Sequence, residues 1–229
     1  MAYKGDTFGA NEAQITIGTN YQGTRAITEA LLPFLRRSAQ EAKNSELPSE
    51  HDVEGLTSGS KTGSSNTSSS SSSHTTTSVS DSEGKTPIFY PRIINVCSQA
   101  GKLSQVSVPL QTQFQNPNLT VNDIDTLMNE FITSISDKSY ATKGWSNSMY
   151  GISKLAEIAY TNILARDLQK ENIIVNAVCP GYCATNMSSY KGHKSPAEGA
   201  DTPVWVATRH GSVNDLTGGF YYERQLIGW

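Results

Sequence analysis

Apolar residues recur at Ile152, Leu155, Ala156, Ala159, Tyr160, Ile163 and Leu164, a spacing that draws one continuous stripe along a helix of 3.6 residues per turn. The stretch from Trp145 to Leu164 therefore predicts a helix with one face in the core. A second stripe, Ile124, Leu127, Met128, Phe131, Ile132 and Ile135, predicts another, with Thr120 and Asp123 placed to cap its start. Gln14 to Arg37 predicts a third helix, with Tyr21, Ile27, Leu31, Phe34 and Leu35 at helical spacing, and Pro196 to Thr208 a short fourth carrying Val204, Trp205 and Ala207. Short apolar runs bounded by loop residues read as strands instead. Arg92 to Cys97 opens onto Ser98-Gln-Ala-Gly101, Asn172 to Cys179 ends in Pro180-Gly181, and Gly219 to Glu223 is a weaker third run. Strands separated by helices predict an α/β layered fold with a parallel sheet, whose ligands sit at the carboxyl ends of the strands. Ser98 and Pro180-Gly181 both fall at such ends, on one rim.

Two regions break the pattern. Met1 to about Ala13 is polar and punctuated by glycine. From residue 39 to 87 the chain turns to Ser, Thr, Gly and charge, including six successive serines from Ser68 to Ser73. Such a composition lacks the apolar surface to offset ordering entropy, which predicts a disordered insertion dividing one domain into residues 1–38 and 88–229. Gly84-Lys-Thr86 is not a phosphate-binding loop, because Val79 stands where its first glycine is needed.

The chain has 18 basic and 21 acidic residues among 229, a mild acidic excess that argues against a nucleic-acid partner. Cys97, Cys179 and Cys183 form no paired framework, and four scattered histidines supply no metal-ligand spacing. With no apolar leader and no long apolar run, neither secretion nor membrane spanning is indicated, and a reducing, cytoplasmic setting is expected.

Tyr150 and Lys154 lie off the apolar stripe and one turn apart, close enough for an ammonium to act on a phenol. A free tyrosine has a pKa of roughly 10, and a nearby positive charge lowers it, which prepares the phenol to protonate a carbonyl oxygen as hydride reaches the carbon. The spacing alone is weak: ten tyrosines and eleven lysines would produce it by chance about half the time. Tyr190-Lys-Gly-His-Lys194 repeats it, but Gly192, Pro196 and the missing apolar stripe mark that copy as loop. Asn20 is unusual for a helix interior, where its side chain competes for backbone hydrogen bonds, and by itself it reads as an ordinary cap or bend.

Taken together, Asn20, Ser98, Tyr150-x-x-x-Lys154 and Pro180-Gly-x-x-x-Thr185, in that order, resemble the short-chain dehydrogenase/reductase family. Within it the chain is most similar to the carbonyl reductases, in the long insertion before Tyr150, in Gly144-Trp-Ser-Asn-Ser-Met-Tyr-Gly151, in Lys194 to Pro203 and in the terminal Trp229. The resemblance implies a Rossmann-like three-layer fold and NADPH-dependent reduction of a small-molecule ketone or aldehyde to an alcohol, by an oxidoreductase expected to be monomeric if complete. It assigns Tyr150 as proton donor, Lys154 as the residue that holds the nicotinamide ribose and depresses the tyrosine pKa, and Ser98 as a hydrogen-bond donor to the substrate oxygen. Asn20 would support a water-linked relay to Lys154. Pro180, Gly181 and Thr185 would line the nicotinamide end, and Tyr182 and Met187 the substrate pocket. Cys97 replaces the first of two serines common in the family, and Ser98 keeps the second.

The family begins with a strand, a Gly-rich turn and a helix that cradle the pyrophosphate, and neither Gly-x-x-x-Gly-x-Gly nor Gly-x-Gly-x-x-Gly occurs in this sequence. By that comparison Met1 falls just after the family's fourth strand. The expected fold is then the later half of the sheet, with an apolar strand edge and helix faces left open. Two functions follow: a carbonyl reductase, or a truncated non-catalytic relative acting as an interaction or scaffold protein.

Overall fold

A computed structural model describes residues 8–46 and 89–229. Of the insertion expected over residues 39–87, residues 39–46 are helical, and the rest lies outside the described residues. Among those described, four strands form one sheet in the order β1-β2-β3-β4. Strand β1 (Arg92–Val96) pairs parallel with β2 (Ile174–Val178), with Arg92 opposite Ile174 and Val96 opposite Val178. β2 pairs parallel with β3 (Phe220–Tyr222), and β4 (Gln225–Leu226) turns back antiparallel on β3. The parallel α/β fold expected from the alternation of runs is present, and only the antiparallel hairpin strand was not foreseen.

β2 is buried at all five positions, as a central parallel strand must be when helices cover both faces. Val175 and Ala177 face one layer; Ile174 packs with Val213 and Leu216, and Val178 with Val206 and Tyr221, in the other. The first layer is built by α1 (Ala10–Ile17), α4 (Val121–Ser136) and α5 (Met149–Leu168), with the short α3 (Val108–Phe114) at its side. The second holds α6 (Pro196–Thr208) and α7 (Val213–Leu216). This is a three-layer sandwich with the larger core between β1–β2 and α5.

The stripe on α4 is in the core, and Thr120 with Asp123 closes a reciprocal capping box at its start. The third helix is longer than its periodicity predicts. α1 continues through a π-helical turn (Gly18–Gln22) into α2 (Gly23–Glu46), so the helix begins before Gln14 and passes Arg37 by more than two turns. Its faces also differ from expectation: Tyr21 is buried, whereas Ile27, Leu31 and Phe34 are 64%, 51% and 64% exposed. Ile27 and Leu31 flank the outer edge of β1, which has a strand neighbour on one side only among the described residues. In α6 the inward residues are Gly199, Thr202 and Val206, while Val204 and Ala207 point outward.

Candidate active site

Ser98 follows β1 at its carboxyl end and Tyr150 opens α5. Close backbone contact between the two elements fixes their separation. A Cβ on Gly101 would lie 2.6 Å from the carbonyl carbon of Lys154, so the turn Gln99–Gly101 rests directly on the helix backbone, and only glycine allows it. Gln105 secures the contact: its Nε2 donates to the carbonyls of Ala100 at 2.7 Å and Gly151 at 3.2 Å, and its Oε1 accepts from Ser146 at 3.1 Å. Ser148 caps α5 by accepting from the Gly151 amide at 3.0 Å. The indole Nε1 of Trp229 donates to the Gly101 carbonyl at 3.2 Å, bringing the end of the chain onto the same turn.

With the elements held in this way, the Ser98 hydroxyl accepts from the Ala100 amide at 3.1 Å and shares a hollow with the Tyr150 phenol. Burial raises the phenol above its ordinary value; the Lys154 charge and the Ser98 hydroxyl both pull it down and are outweighed. The lysine thus acts in the expected direction, but the net shift has the opposite sign. The ammonium itself explains why. Nζ of Lys154 lies 5.8 Å from the centre of the Tyr150 ring and donates to the Val96 carbonyl at 3.0 Å and to both carboxylate oxygens of Glu157 at 2.9 and 2.8 Å. An ammonium has three N–H donors, and here each has an acceptor.

Asn20 sits buried in the π-helical turn, where the extra residue per turn pushes its side chain toward α5. Its Nδ2 donates to Ser153 Oγ at 3.0 Å, and Ser153 Oγ donates in turn to the Tyr150 carbonyl at 2.8 Å. Asn20 is therefore tied to the backbone of Tyr150, and it lines the same hollow as Lys154 without a direct bond to it.

A hollow of about 540 Å³ opens at the carboxyl rim, walled by Ser98, Tyr150, Tyr182, Met187, His193 and Tyr222. Gly181 lines it with φ +84°, and a Cβ there would stand 3.1 Å from Lys194 Cδ and 3.2 Å from Tyr222 Cε2. Pro180 and Thr185 bracket this stretch without lining the hollow; Thr185 opens the turn Asn186–Ser188, and its amide donates to Ser188 Oγ at 3.2 Å. A second hollow, of about 570 Å³, runs along the outer edge of β1 beside Asn20, Arg92, Asn95, Lys154 and Glu157. The loop Tyr190–Lys194 is irregular as expected, and its Lys194 pairs with Glu223 at 2.6 Å.

The sequence reading brought Ser98, Tyr150, Lys154 and Asn20 into one neighbourhood and missed three residues. His193 and Tyr222 are hollow walls contributed by loop and strand positions with no motif of their own. Glu157 carried a legible signal: a carboxylate three residues after Lys154, in a helix whose remaining polar positions are few.

Comparisons with known proteins bear on the fold and on the family it matches. A family model described as enoyl-(acyl carrier protein) reductase matches residues 111–217. Over that stretch, and in its fold, the chain matches the short-chain dehydrogenase/reductase family. Its curated relatives include carbonyl reductase [NADPH] 1 of Rattus norvegicus, 35% identical over 151 residues that cover 62% of this chain and 54% of that protein. Carbonyl reductase [NADPH] 3 of the same organism is 38% identical over the same shares. The chain spans about half the length of the curated relatives it matches. Among solved structures, salutaridine reductase from Papaver somniferum superimposes with a TM-score of 0.64 at 24% identity, over 94% of this chain and 56% of the other. An NADPH-bound carbonyl reductase from chicken fatty liver gives 0.52 at 16%, over 100% and 62%. Both share the fold.

Proposed function

We propose that the chain forms the catalytic part of an NADPH-dependent carbonyl reductase, acting on a ketone or aldehyde. The observation that carries this reading is the pair of hydroxyls, Ser98 and Tyr150, which wall the same hollow beside the strand ends, with Ser98 acting on the phenol. A carbonyl oxygen entering between them would accept from both. Tyr150, kept protonated at neutral pH by its burial, gives its proton to that oxygen, while Ser98 holds it and stabilises the charge that develops there. The phenolate left behind is stabilised by Lys154 until a proton returns from solvent.

The residues present suit the nicotinamide end of the cofactor. Tyr150, Lys154, Pro180, Gly181 and Thr185 would hold it, and when bound it would supply the hydride. Lys154 would have to release one of its present partners to reach a ribose hydroxyl. No Gly-rich pyrophosphate turn occurs in the sequence, so NADPH is expected to bind this chain more weakly than micromolar. A fluorescence titration of NADPH and an assay of NADPH oxidation against a panel of ketones and aldehydes test the reading. Tyr150→Phe should lower turnover by about 10²-fold or more, a far larger change than any it causes in the titration. Equal turnover in that variant overturns the assignment.

One observation favours a second reading, a non-catalytic relative working through its sheet. The outer edge of β1 and the apolar Ile27 and Leu31 of α2 are open together. An absence of both NADPH binding and turnover from a folded chain would favour it.

A further inference from the structure

Glu157 is the most buried carboxylate among the described residues, 2% exposed, and the reduction chemistry above does not use it. It lies on α5 three residues after Lys154, facing the carboxyl end of β1. Both of its oxygens are within 3 Å of the lysine ammonium, and the third donor of that ammonium goes to the Val96 carbonyl. The groups around it come from every neighbouring element. On α5 they are Tyr150 and Lys154. Just past β1 lies the buried Cys97 thiol, on which the Glu157 charge acts, and Arg92 of β1 lines the same hollow as Glu157. From the end of β2 comes Cys179, which like Glu157 acts electrostatically on both Cys97 and Tyr150, and from the π-helical turn and α2 come the uncharged Asn20, Thr24 and Thr28.

We propose that Glu157 is a positioning residue: its ionised carboxylate ties the Lys154 ammonium to β1, and loss of its charge frees that ammonium to act on the Tyr150 phenol. Two effects of the same sign support this. The Glu157 charge itself holds the phenol up, and by pairing with the ammonium it cancels most of the field that would bring the phenol down. Removing the charge removes both. Burial pushes the Glu157 carboxyl up to about 7, so the device would operate near neutral pH. The consequence for catalysis rests on the reading of Tyr150 as proton donor. The coupling between the three side chains does not, and it is measured without turnover.

The test is a carbon-13 NMR titration of the full chain, following the Glu157 carboxyl, the Lys154 ε-methylene and the Tyr150 ring carbon bearing the hydroxyl, each assigned by loss of its signal in Glu157→Gln, Lys154→Arg and Tyr150→Phe. In the wild-type protein the Glu157 and Lys154 signals should move together with one midpoint near neutrality. In Glu157→Gln the Tyr150 midpoint should fall by about one pH unit, and Glu157→Asp should restore most of the wild-type value. A Tyr150 midpoint unchanged in Glu157→Gln overturns the proposal. If that variant fails to fold, the wild-type titration decides alone: a Lys154 signal that ignores the Glu157 midpoint overturns it equally.

Discussion

At the scale of single residues, the behaviour of Tyr150 turns on which of two influences is larger. A bare ammonium about 6 Å away in a medium of effective dielectric about 20 would favour the phenolate by about 3 kcal/mol, comparable to the cost of burying the charge. Lys154 is not bare. With both Glu157 oxygens on its ammonium the pair is nearly a dipole, whose field falls off faster with distance, and burial prevails. The same pair has a consequence for stability. Glu157 has an ordinary value of 4.5 and is raised to about 7 in the folded chain by burial. Between those pH values the folded form holds a proton that the unfolded form has released. The stability it contributes is therefore complete below about pH 4.5 and is lost as pH rises to about 7. Urea midpoints measured across this range should show wild type losing stability relative to Glu157→Gln as pH rises, and a constant difference above it. Parallel midpoints throughout would contradict a raised Glu157.

At the scale of elements, α5 shows what periodicity conveys and what it leaves out. Ile152, Leu155, Ala156, Ala159, Tyr160, Ile163 and Leu164 are all buried, and so are Ser153, Glu157, Ile158 and Thr161 off the stripe. The helix is covered on nearly every side because β1 and β2, α1, α4 and the turn at Gln99–Gly101 surround it. Ser98 was legible as a strand-end hydroxyl, but its distance from Tyr150 is set by Gly101, whose importance no local pattern announces. Gly101→Ala should therefore push the turn off the helix, at a cost of about 1–3 kcal/mol in urea denaturation, and move Ser98 away from Tyr150. Unchanged stability and an unchanged phenol titration would show that the contact yields more easily than its geometry suggests. Asn20 followed the same rule. Its oddness within a helical stretch was visible, yet the π-helical turn that aims it at Ser153 is a property of how α1 and α2 pack.

At the scale of the whole molecule, the two helical stripes have different fates. Ile152 is fully buried, and Ile152→Ala should cost about 2–5 kcal/mol. Leu31 belongs to an equally regular stripe but is 51% exposed beside the β1 edge, so Leu31→Ser should change thermal stability by less than about 0.5 kcal/mol. A large loss on Leu31→Ser would mean that something covers that face in solution. Among the described residues no helix is long and apolar enough to cross a membrane.

Local order determined much of this protein in advance. The alternation of apolar runs and stripes dictated helices, strands and a parallel sheet, and strand ends followed by Ser98 and Pro180-Gly181 located the rim where a ligand would sit, because side-chain period and chain breakers act over a few residues. The fate of each stripe was decided only in three dimensions. Whether Ile27 faces core or water, whether Lys154 meets a phenol or a carboxylate, and whether a raised or a lowered phenol results all depend on groups brought together across tens of residues, and burial and charge act through space rather than along the chain.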